Sequence, residues 1–205
     1  MNCQLKFAFR ITHIQNIPHI LDKGFVCANS IDACERYVPI GDKAVITRRN
    51  EQPVKGFNLK EYIPFYFGPR SPMLYVVQHG FNGTQRINAE EIVYCVVRID
   101  DIRNNDIECI FTDGHALSGL TVFYDKSHLH KLDYIINHTD VFASYWNSES
   151  DPDLKRRKEA EFLIKKHLPP QYIRGFVVYN NKAMLRLLEM GIDQNKIIIN
   201  PAYYF

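Results

Sequence analysis

Residues 92–99 are the segment that most restricts what this chain can fold into. Their sequence, Ile-Val-Tyr-Cys-Val-Val-Arg-Ile, is rich in β-branched residues and is bounded by Glu91 and Asp100, which is typical of a strand. Further strands are predicted at residues 5–12, 62–67, 107–112, 121–124, 173–179 and 196–200. Pro64 interrupts the second of these segments, which indicates an edge strand or an extended loop.

Short helices are predicted in the connections between these strands. They cover residues 16–24, 42–50, 73–79 and 180–190. Ser71 and Pro72 supply an N-cap and a first turn to the third helix, and Gly191 ends the fourth. Strands outnumber helices, and the connections are too irregular for repeated strand–helix–strand units. The sequence therefore predicts one α+β domain over residues 1–205, built on a mostly antiparallel sheet.

The charge balance limits how the chain can bind a polyanion. Among 205 residues, 25 are Lys or Arg and 23 are Asp or Glu, a net charge of +2. This near balance excludes binding of nucleic acid by bulk positive charge but allows a local basic groove. The sequence predicts neither a secretion signal nor a membrane span. The five cysteines form no CxxC pair, so we expect free thiols in the cytoplasm.

Scanning for local catalytic motifs gives no assignment. The chain has no GxGxxG, GxxxxGK[ST], HExxH or GxSxG sequence, so it lacks local support for four common enzyme classes. His128 and His130 are the one close histidine pair, and we expect them to be solvated or structural and no metal to be bound. Residues 125–157 form the longest stretch without clear periodicity, which is typical of a functional or mobile loop.

Three segments, taken together, resemble a known family. They are residues 10–17 (RITHIQNI), residues 62–75 (YIPFYFGPRSPMLY) and residues 157–163 (RKEAEFL). In this order and spacing they resemble the DarT toxins, bacterial enzymes that ADP-ribosylate bases of single-stranded DNA. The resemblance extends from about residue 8 to Tyr203 and Tyr204. It implies a mono-ADP-ribosyltransferase fold, in which a split antiparallel sheet holds NAD in a central cleft.

The resemblance also implies where NAD binds. The first strand and the following helix contribute the cofactor-binding residues, which are Arg10, Ile11, Thr12, His19 and Cys27. Family members commonly have histidine where this chain has Arg10, and an arginine there is compatible with holding NAD. A polar element at about residues 30–51 covers the cofactor. Its functional arginine corresponds to Arg49, with the adjacent Arg48 as the alternative.

The resemblance places the catalytic glutamate at Glu161 rather than Glu159. Breaking the bond between nicotinamide and ribose gives an oxocarbenium-like sugar, and a carboxylate beside the ribose stabilises that charge. Arg49 is expected to be essential and to polarise the acceptor base. Its very high pKa makes it a poor proton acceptor.

The stretch at about residues 113–160 corresponds to a loop that presents the substrate. It contains the basic run at residues 155–158, which we interpret as a phosphate-binding rim. Tyr66 and Trp146 are weaker candidates for stacking on bases. The residues predicted to contact DNA are Arg70, Met73, His115, Lys155, Arg156 and Arg157.

The predicted function is that of the toxin in a toxin–antitoxin pair. ADP-ribose passes from NAD to a thymidine or guanosine base of single-stranded DNA, where an unpaired base needs no duplex opening. The family implies a macrodomain antitoxin as partner. RNA or protein could instead be the acceptor on the same fold, and a catalytically silent nucleic-acid-binding module is the alternative from another class.

Overall fold

The computed structural model describes residues 4–51 and 53–205, which form one eight-stranded sheet, a separate two-stranded sheet and short helices. The strands are β1 Phe7–His13, β2 Phe25–Val26, β3 Tyr62–Tyr66, β4 Ile92–Arg98, β5 Cys109–Thr112, β6 Phe123–Asp125, β7 Glu161–Lys165, β8 His167–Leu168, β9 Ile173–Val178 and β10 Ile197–Ile199. The α-helices are α1 Ile17–Lys23, α2 Lys43–Glu51, α3 Pro72–His79, α4 Ile99–Arg103, α5 Leu132–Ile135, α6 His138–Val141, α7 Leu154–Lys158 and α8 Asn181–Glu189.

The large sheet has the order β10-β9-β4-β1-β3-β7-β5-β6. β1 pairs with β4 along its whole length, from Phe7 opposite Arg98 to His13 opposite Ile92. Among the described strand pairs only β9 with β10 is parallel. The predicted α+β class and the mostly antiparallel sheet are therefore confirmed.

The sheet splits between β1 and β3. These two strands pair only at Phe9 and Tyr66, and beyond that pair they separate. Pro64 lies where they diverge, and its carbonyl accepts a hydrogen bond of 2.8 Å from Arg10 Nη1. Because N–H and C=O of one strand residue point the same way, the N–H that proline lacks would also face the gap. The expected edge position of this strand was wrong, since β3 lies between β1 and β7.

Apolar side chains cover both faces of the sheet. One face packs against α1, α4, α8 and the helices after β6, and its largest fully buried side chains are Phe65, Phe67, Phe111 and Phe162. The other face carries α3, and Leu74 and Val77 of that helix are fully buried against it. As the sequence predicts, Ser71 caps α3 through Leu74 N–H, and Gly80 ends it with φ of 73°.

The stretch after β6 is more ordered than its lack of periodicity indicates. It contains a 3₁₀ segment at Lys126–Lys131 and the helices α5, α6 and α7. Gly68, two residues after β3, lies so close to α6 that a Cβ there would come within 1.9 Å of the Val141 carbonyl oxygen. Arg157 holds the loop through carboxylates of Asp140, Asp151 and Asp153.

The described residues contain neither a membrane-spanning helix nor a metal cluster. Within residues 4–51 and 53–205, no helix combines the length and hydropathy that a bilayer crossing requires. The same residues contain no group of three His, Cys, Asp or Glu side chains placed to hold a metal ion. His128 instead pairs with the Asp125 carboxylate at 3.0 Å. Cys27, Cys34, Cys95 and Cys109 are free thiols, and Cys3 lies outside the described residues.

Candidate active site

A cavity of about 630 Å³ opens at the split in the sheet. Its walls come from β1, α1, β3 and the segment at residues 28–51, here called the cover. Volumes of 300–1,000 Å³ are usual for sites that enclose small molecules. Because the two strands separate here, their edges leave polar groups free to face a ligand instead of a neighbouring strand.

Glu161 is the first residue of β7 and is held rigidly beneath this cavity. Its side chain is 0% exposed, and each carboxylate oxygen accepts one hydrogen bond of 2.8 Å, Oε1 from the Ala116 N–H and Oε2 from Arg49 Nη1. The Glu161 N–H donates to Thr112 Oγ1 on β5 at 3.1 Å. Both carboxylate oxygens and the backbone N–H of Glu161 are therefore held by the surrounding chain.

Arg49 separates that carboxylate from the cavity. It projects from α2, lines the cavity, and is 12% exposed. Its Nη2 atom is buried and has no hydrogen-bond partner among the described residues, so it is available to an acceptor on a bound molecule. The neighbouring Arg48 is exposed, and the geometry thus joins Arg49, not Arg48, to Glu161.

The predicted NAD-binding residues lie around the opposite side of the cavity. Arg10, Ile11, His19 and Cys27 line it. Arg10 Nε and His19 Nε2 are buried without a partner in the described part of the chain. Unpartnered buried donors are costly unless a ligand satisfies them, so this wall fits a large polar molecule such as NAD.

Two of the predicted cofactor residues have different surroundings. Thr12 is fully buried behind the cavity wall, and its Oγ1 accepts from Asn16 Nδ2 at 3.0 Å. In this geometry Thr12 has a structural role. Cys27 borders the cavity, but burial raises the pKa of its thiol. It therefore stays neutral near pH 7 and provides apolar surface instead of a nucleophile.

The cover is attached to the sheet through one buried amide. Asn16 Nδ2 donates to the Val38 carbonyl and Asn16 Oδ1 accepts from the Val38 N–H, each at 2.8 Å. The Tyr37 hydroxyl lies 3.5 Å from Thr12 Oγ1. Together with the Arg49–Glu161 pair, these contacts hold residues 28–51 over the cavity.

The predicted DNA-binding residues divide into three groups. Met73, His115 and Lys155 line the cavity, and Lys155 is exposed. Burial lowers the pKa of His115, so its ring is neutral near pH 7. Arg70 has φ of +52° and its guanidinium lies over the Phe205 ring, 4.4 Å from the centroid.

Arg156 and Arg157 are engaged inside the chain. Arg156 binds Asp113 at 3.0 Å and Asp153 at 2.7 Å. Arg157 is held by three carboxylates, including Asp140 at 2.7 Å. Since these guanidinium groups are already neutralised by acids, the geometry favours a structural role for both. Lys155 is the exposed cation of the run and makes no ion pair within residues 4–51 and 53–205.

Lys158, the last residue of the basic run, is not part of a rim at all. It is 1% exposed, and its Nζ donates to the carbonyls of Pro69 at 3.3 Å and Val141 at 3.1 Å. Burial lowers the pKa of Lys158 to about 8. The run was expected to form a phosphate-binding rim, whereas the Lys158 ammonium joins α7 to α6 and to the turn after β3.

Sequence reasoning also passed over three residues that shape the site. Thr112 and Asn16 act through hydrogen bonds between segments far apart in the chain, for which the sequence carries no signal. Glu159 lines the cavity, and burial raises its pKa to about 7. Its proximity to Glu161 in the sequence was visible, but its desolvation was not.

Comparison with known proteins identifies the family. Residues 9–205 match the family model described as "ssDNA thymidine ADP-ribosyltransferase, DarT". A DNA ADP-ribosyl transferase of Escherichia coli O127:H6 is 34% identical over 198 residues, covering 95% of this chain and 90% of that relative. The chain belongs to the DarT family. It is thus a DNA ADP-ribosyltransferase of the DarT type, as the sequence predicted.

Solved structures agree with this assignment. DarT of Thermus sp. 2.9 in complex with NAD⁺ superposes with a TM-score of 0.80 at 27% identity, with 99% of each chain covered. The same protein with ADP-ribosylated single-stranded DNA gives a TM-score of 0.81, covering 98% of this chain and 97% of that one. A transferase–glycohydrolase fusion of Thermosipho africanus is 28% identical over 96% of this chain and 49% of its own length. The ADP-ribosyltransferase-like fold is confirmed, and NAD as co-substrate is confirmed at the level of the family.

Proposed function

We propose that this DarT-family chain transfers ADP-ribose from NAD to a thymidine base of single-stranded DNA, acting as the toxin of a toxin–antitoxin pair. The observation that carries the proposal is the Arg49–Glu161 pair, 2.8 Å apart, beneath a cavity of about 630 Å³. The name of the matching family favours thymidine over guanosine.

NAD binding is assigned to the wall of the cavity with unsatisfied donors. Arg10 and His19 offer buried nitrogens to the polar groups of the dinucleotide, and Ile11 and Cys27 supply apolar contact. Arg10 is held by the Pro64 carbonyl and lies 5.4 Å from the Phe25 ring centroid, so its charge is fixed in place before the ligand arrives. Preorganised groups of this kind reduce the entropic cost of binding.

Glu161 stabilises the sugar cation in the proposed reaction. The bond between ribose C1′ and the nicotinamide nitrogen breaks, its electron pair leaves with nicotinamide, and positive charge develops on the ribose ring. The Ala116 N–H holds the carboxylate at Oε1 and Thr112 holds the Glu161 backbone, so once Arg49 turns toward the acceptor base the carboxylate faces that charge from a fixed position. This is the condition under which electrostatic stabilisation is most effective.

Arg49 acts on the acceptor base. As the ring nitrogen of thymidine bonds to C1′, that nitrogen loses its proton, and negative charge on the base carbonyls must be stabilised. The free Nη2 of Arg49 can donate to such a carbonyl, which makes the ring N–H more acidic. Arginine remains protonated throughout, so the proton passes to solvent or to another group.

The DNA strand is proposed to enter over Met73, His115 and Lys155. The neutral imidazole of His115 and the thioether of Met73 border the space next to Arg49, where an extruded base would lie. Lys155 is exposed at the rim and can neutralise a phosphate. The internal ion pairs of Arg156 and Arg157 shape the loop that carries it.

The toxin role rests on the chemistry of the product and on one relative. A base carrying ADP-ribose blocks pairing, so a cell that makes this enzyme needs an activity that removes the group. The Thermosipho africanus fusion joins a DNA ADP-ribosyl transferase to a DNA ADP-ribosyl glycohydrolase, which supports a partner of the second type, such as a macrodomain antitoxin. Four free thiols in the described residues support a cytoplasmic location.

The proposal is tested by mass spectrometry of the reaction products. Purified protein is incubated with NAD and oligonucleotides that differ only in having thymidine, guanosine or neither at one position. We expect a gain of one ADP-ribose unit on the thymidine strand alone, abolished in Glu161→Gln. A gain on the guanosine strand would reassign the base. NAD consumption without any gain on DNA would favour an RNA or protein acceptor, and no NAD consumption would leave a silent binding module.

A further inference from the structure

Five aromatic rings form a surface beside the cavity that the proposed chemistry does not use. The aromatic platform, as we name it, consists of Tyr75, His79, Phe81, Trp146 and Phe205. Tyr75 is its centre, with ring centroids 4.2 Å from His79, 5.5 Å from Phe81 and 5.0 Å from Phe205. Tyr75 is 36% and Phe81 48% exposed, so these rings present surface to solvent.

The platform is continuous with the active-site cavity. Tyr75 and His79 belong to α3, whose first residues, Pro72 and Met73, line the cavity. A strand that places one base beside Met73 therefore passes its neighbouring nucleotides along the same helix. At the far end, a polar groove bordered by Arg86 and Asn88 begins at His79 and Phe205.

The ring geometry suits stacking on planar ligands. The rings of His79 and Phe81 are almost parallel, at 5°, and the ring of Tyr75 is tilted by about 35° to both. Trp146 stands edge-on to Tyr75 at 81° and closes one side. A nucleic-acid base can stack on the open face of such a ring as it stacks on a neighbouring base in a strand.

The charges around the platform favour a polyanion. Arg70 lies over the Phe205 ring and Arg86 borders the adjoining groove. Of the carboxylates nearby, Glu90 is paired with Lys182 at 2.7 Å, whereas Asp42 keeps its charge and accepts a hydrogen bond from the Asn82 amide at 3.0 Å. Aromatic rings with arginines are the combination that single-strand-binding grooves use.

Arg70 is held in this position at a conformational cost. Its φ of +52° is unusual for a residue with a side chain. The Tyr94 hydroxyl accepts its N–H at 3.1 Å and itself donates to the Tyr203 carbonyl at 2.8 Å. Strain maintained by such contacts is concentrated at functional positions.

We infer that the aromatic platform binds the bases that flank the target thymidine, with Arg70 and Arg86 on the intervening phosphates. The inference rests on the proposed function, because it assigns a second part of the same DNA strand. It explains how a chain with a net charge of only +2 could retain single-stranded DNA, since stacking of bases on aromatic rings does not require bulk charge.

Trp146 provides a direct reporter, because it is the one tryptophan in the chain and lies within the platform. Glu161→Gln protein without NAD is titrated with a single strand of about twelve nucleotides, within the range that such grooves bind. The matched control has the same phosphates and target thymidine but abasic flanking sites. We expect saturable quenching of Trp146 fluorescence by the complete strand. The abasic strand should bind at least about ten-fold more weakly and should not quench the fluorescence.

Variants in the active enzyme give a second readout. Tyr75→Ala and Phe81→Ala should raise KM for DNA about five- to ten-fold, with kcat and KM for NAD unchanged. Tyr134→Ala is the control, because Tyr134 is an aromatic residue that is 93% exposed and lies outside the platform. Its KM values should equal those of wild type.

The outcomes separate this inference from the proposed function. Equal affinity for the complete and abasic strands, with normal ADP-ribose transfer, would overturn the platform alone. Quenching by DNA without transfer to any strand would support the platform and contradict the proposed reaction. A fluorescence change that depends on protein concentration and not on DNA would show that the platform is a contact between copies of the chain. That result would overturn the inference.

Discussion

The strand β7 and the cover over the cavity contribute one member each to the Arg49–Glu161 pair, yet they are built in opposite ways. The first four residues of β7 are buried, whereas in the cover, residues 28–51, Gly41 alone is buried. β7 pairs with β3 on one side and with β5 on the other. The cover lacks strands, and none of the residues of α2 is buried.

This contrast separates a rigid part of the site from a part that can move. Glu161 is embedded in a sheet that must unfold before its backbone can move. Residues 28–51 are attached mainly by Asn16 and by the ion pair itself, and a segment with so little buried apolar surface opens at low free-energy cost. A fixed carboxylate beneath a movable cover allows NAD to enter and then encloses it.

Replacing the rigid member of the pair is expected to have the largest effect. Glu161→Gln keeps the shape but removes the charge that faces the ribose, so kcat should fall by at least about 10²–10³-fold. The measurement is single-turnover transfer of ADP-ribose to DNA. The control is Glu108→Gln, which removes an exposed carboxylate that pairs with Lys165, a residue of β7 like Glu161. Its rates should equal those of wild type. Residual activity near wild type would exclude Glu161 as the catalytic carboxylate.

Replacing the movable member should cost less. Arg49→Ala removes the donor to the base and is expected to lower kcat by about 10²-fold. It also leaves the buried carboxylate without its cation, which destabilises a protein by about 3–5 kcal/mol, so thermal unfolding must be followed in parallel. Arg49→Lys keeps the charge and separates the two effects, because the fold should recover while the rate stays low. Arg48→Ala, at an exposed neighbour, should match wild type in both measurements.

Loosening the attachment of the cover tests its movement directly. Asn16→Ala removes both hydrogen bonds to Val38, each worth about 0.5–1.5 kcal/mol, and should raise KM for NAD about ten-fold with little change in kcat. Hydrogen exchange of residues 28–42 should accelerate. Asn105→Ala is the control, since its amide bonds the Asp101 carbonyl far from the cavity. An equal change in kcat would mean that Asn16 also positions the reacting groups.

Local signals in the sequence predicted elements in both regions, including the helix at residues 42–50 of the cover, which is α2 at Lys43–Glu51. The strands around Ile92–Arg98 and Ile173–Val178 and the capped helix Pro72–His79 follow from β-branched runs, Ser71 and Gly80, because these signals act within a few residues. Strand Tyr62–Tyr66 was misplaced at an edge, since the rule for proline assumes continuous pairing. β3 accommodates Pro64 inside the sheet because the sheet splits there, and no local sequence pattern reveals such a split.

The family resemblance identified the site residues, but it could not identify the residues that surround them. No local pattern indicates that Ala116 and Thr112 hold Glu161 or that Asn16 holds the cover, because these contacts join segments up to 49 residues apart. The basic run shows the same limit. Four adjacent cations have four different environments, from exposed Lys155 to fully buried Lys158, which depend on the acids and carbonyls brought to them by folding.

The smallest expected effect concerns Glu159, which lies between the two regions. Burial raises its pKa from 4.5 to about 7, although the nearby cation of Lys155 acts to lower it. Because the folded state binds this proton more tightly, the stabilisation is complete below pH 4.5 and is lost as the pH rises through 7. Glu159→Gln should therefore match wild type at pH 5 and melt higher at pH 8, by roughly 2–4 °C for each kcal/mol gained.

That comparison of melting temperatures also reports on the cover. Glu159 lines the cavity together with residues of the cover, so we expect an open cover to admit water and return the pKa of Glu159 to its ordinary range. The difference between pH 5 and pH 8 should then disappear in the background of Asn16→Ala, where the cover is loosened. If the difference persists unchanged there, the desolvation of Glu159 comes from the sheet side, and the cover is more rigid than its exposed residues indicate.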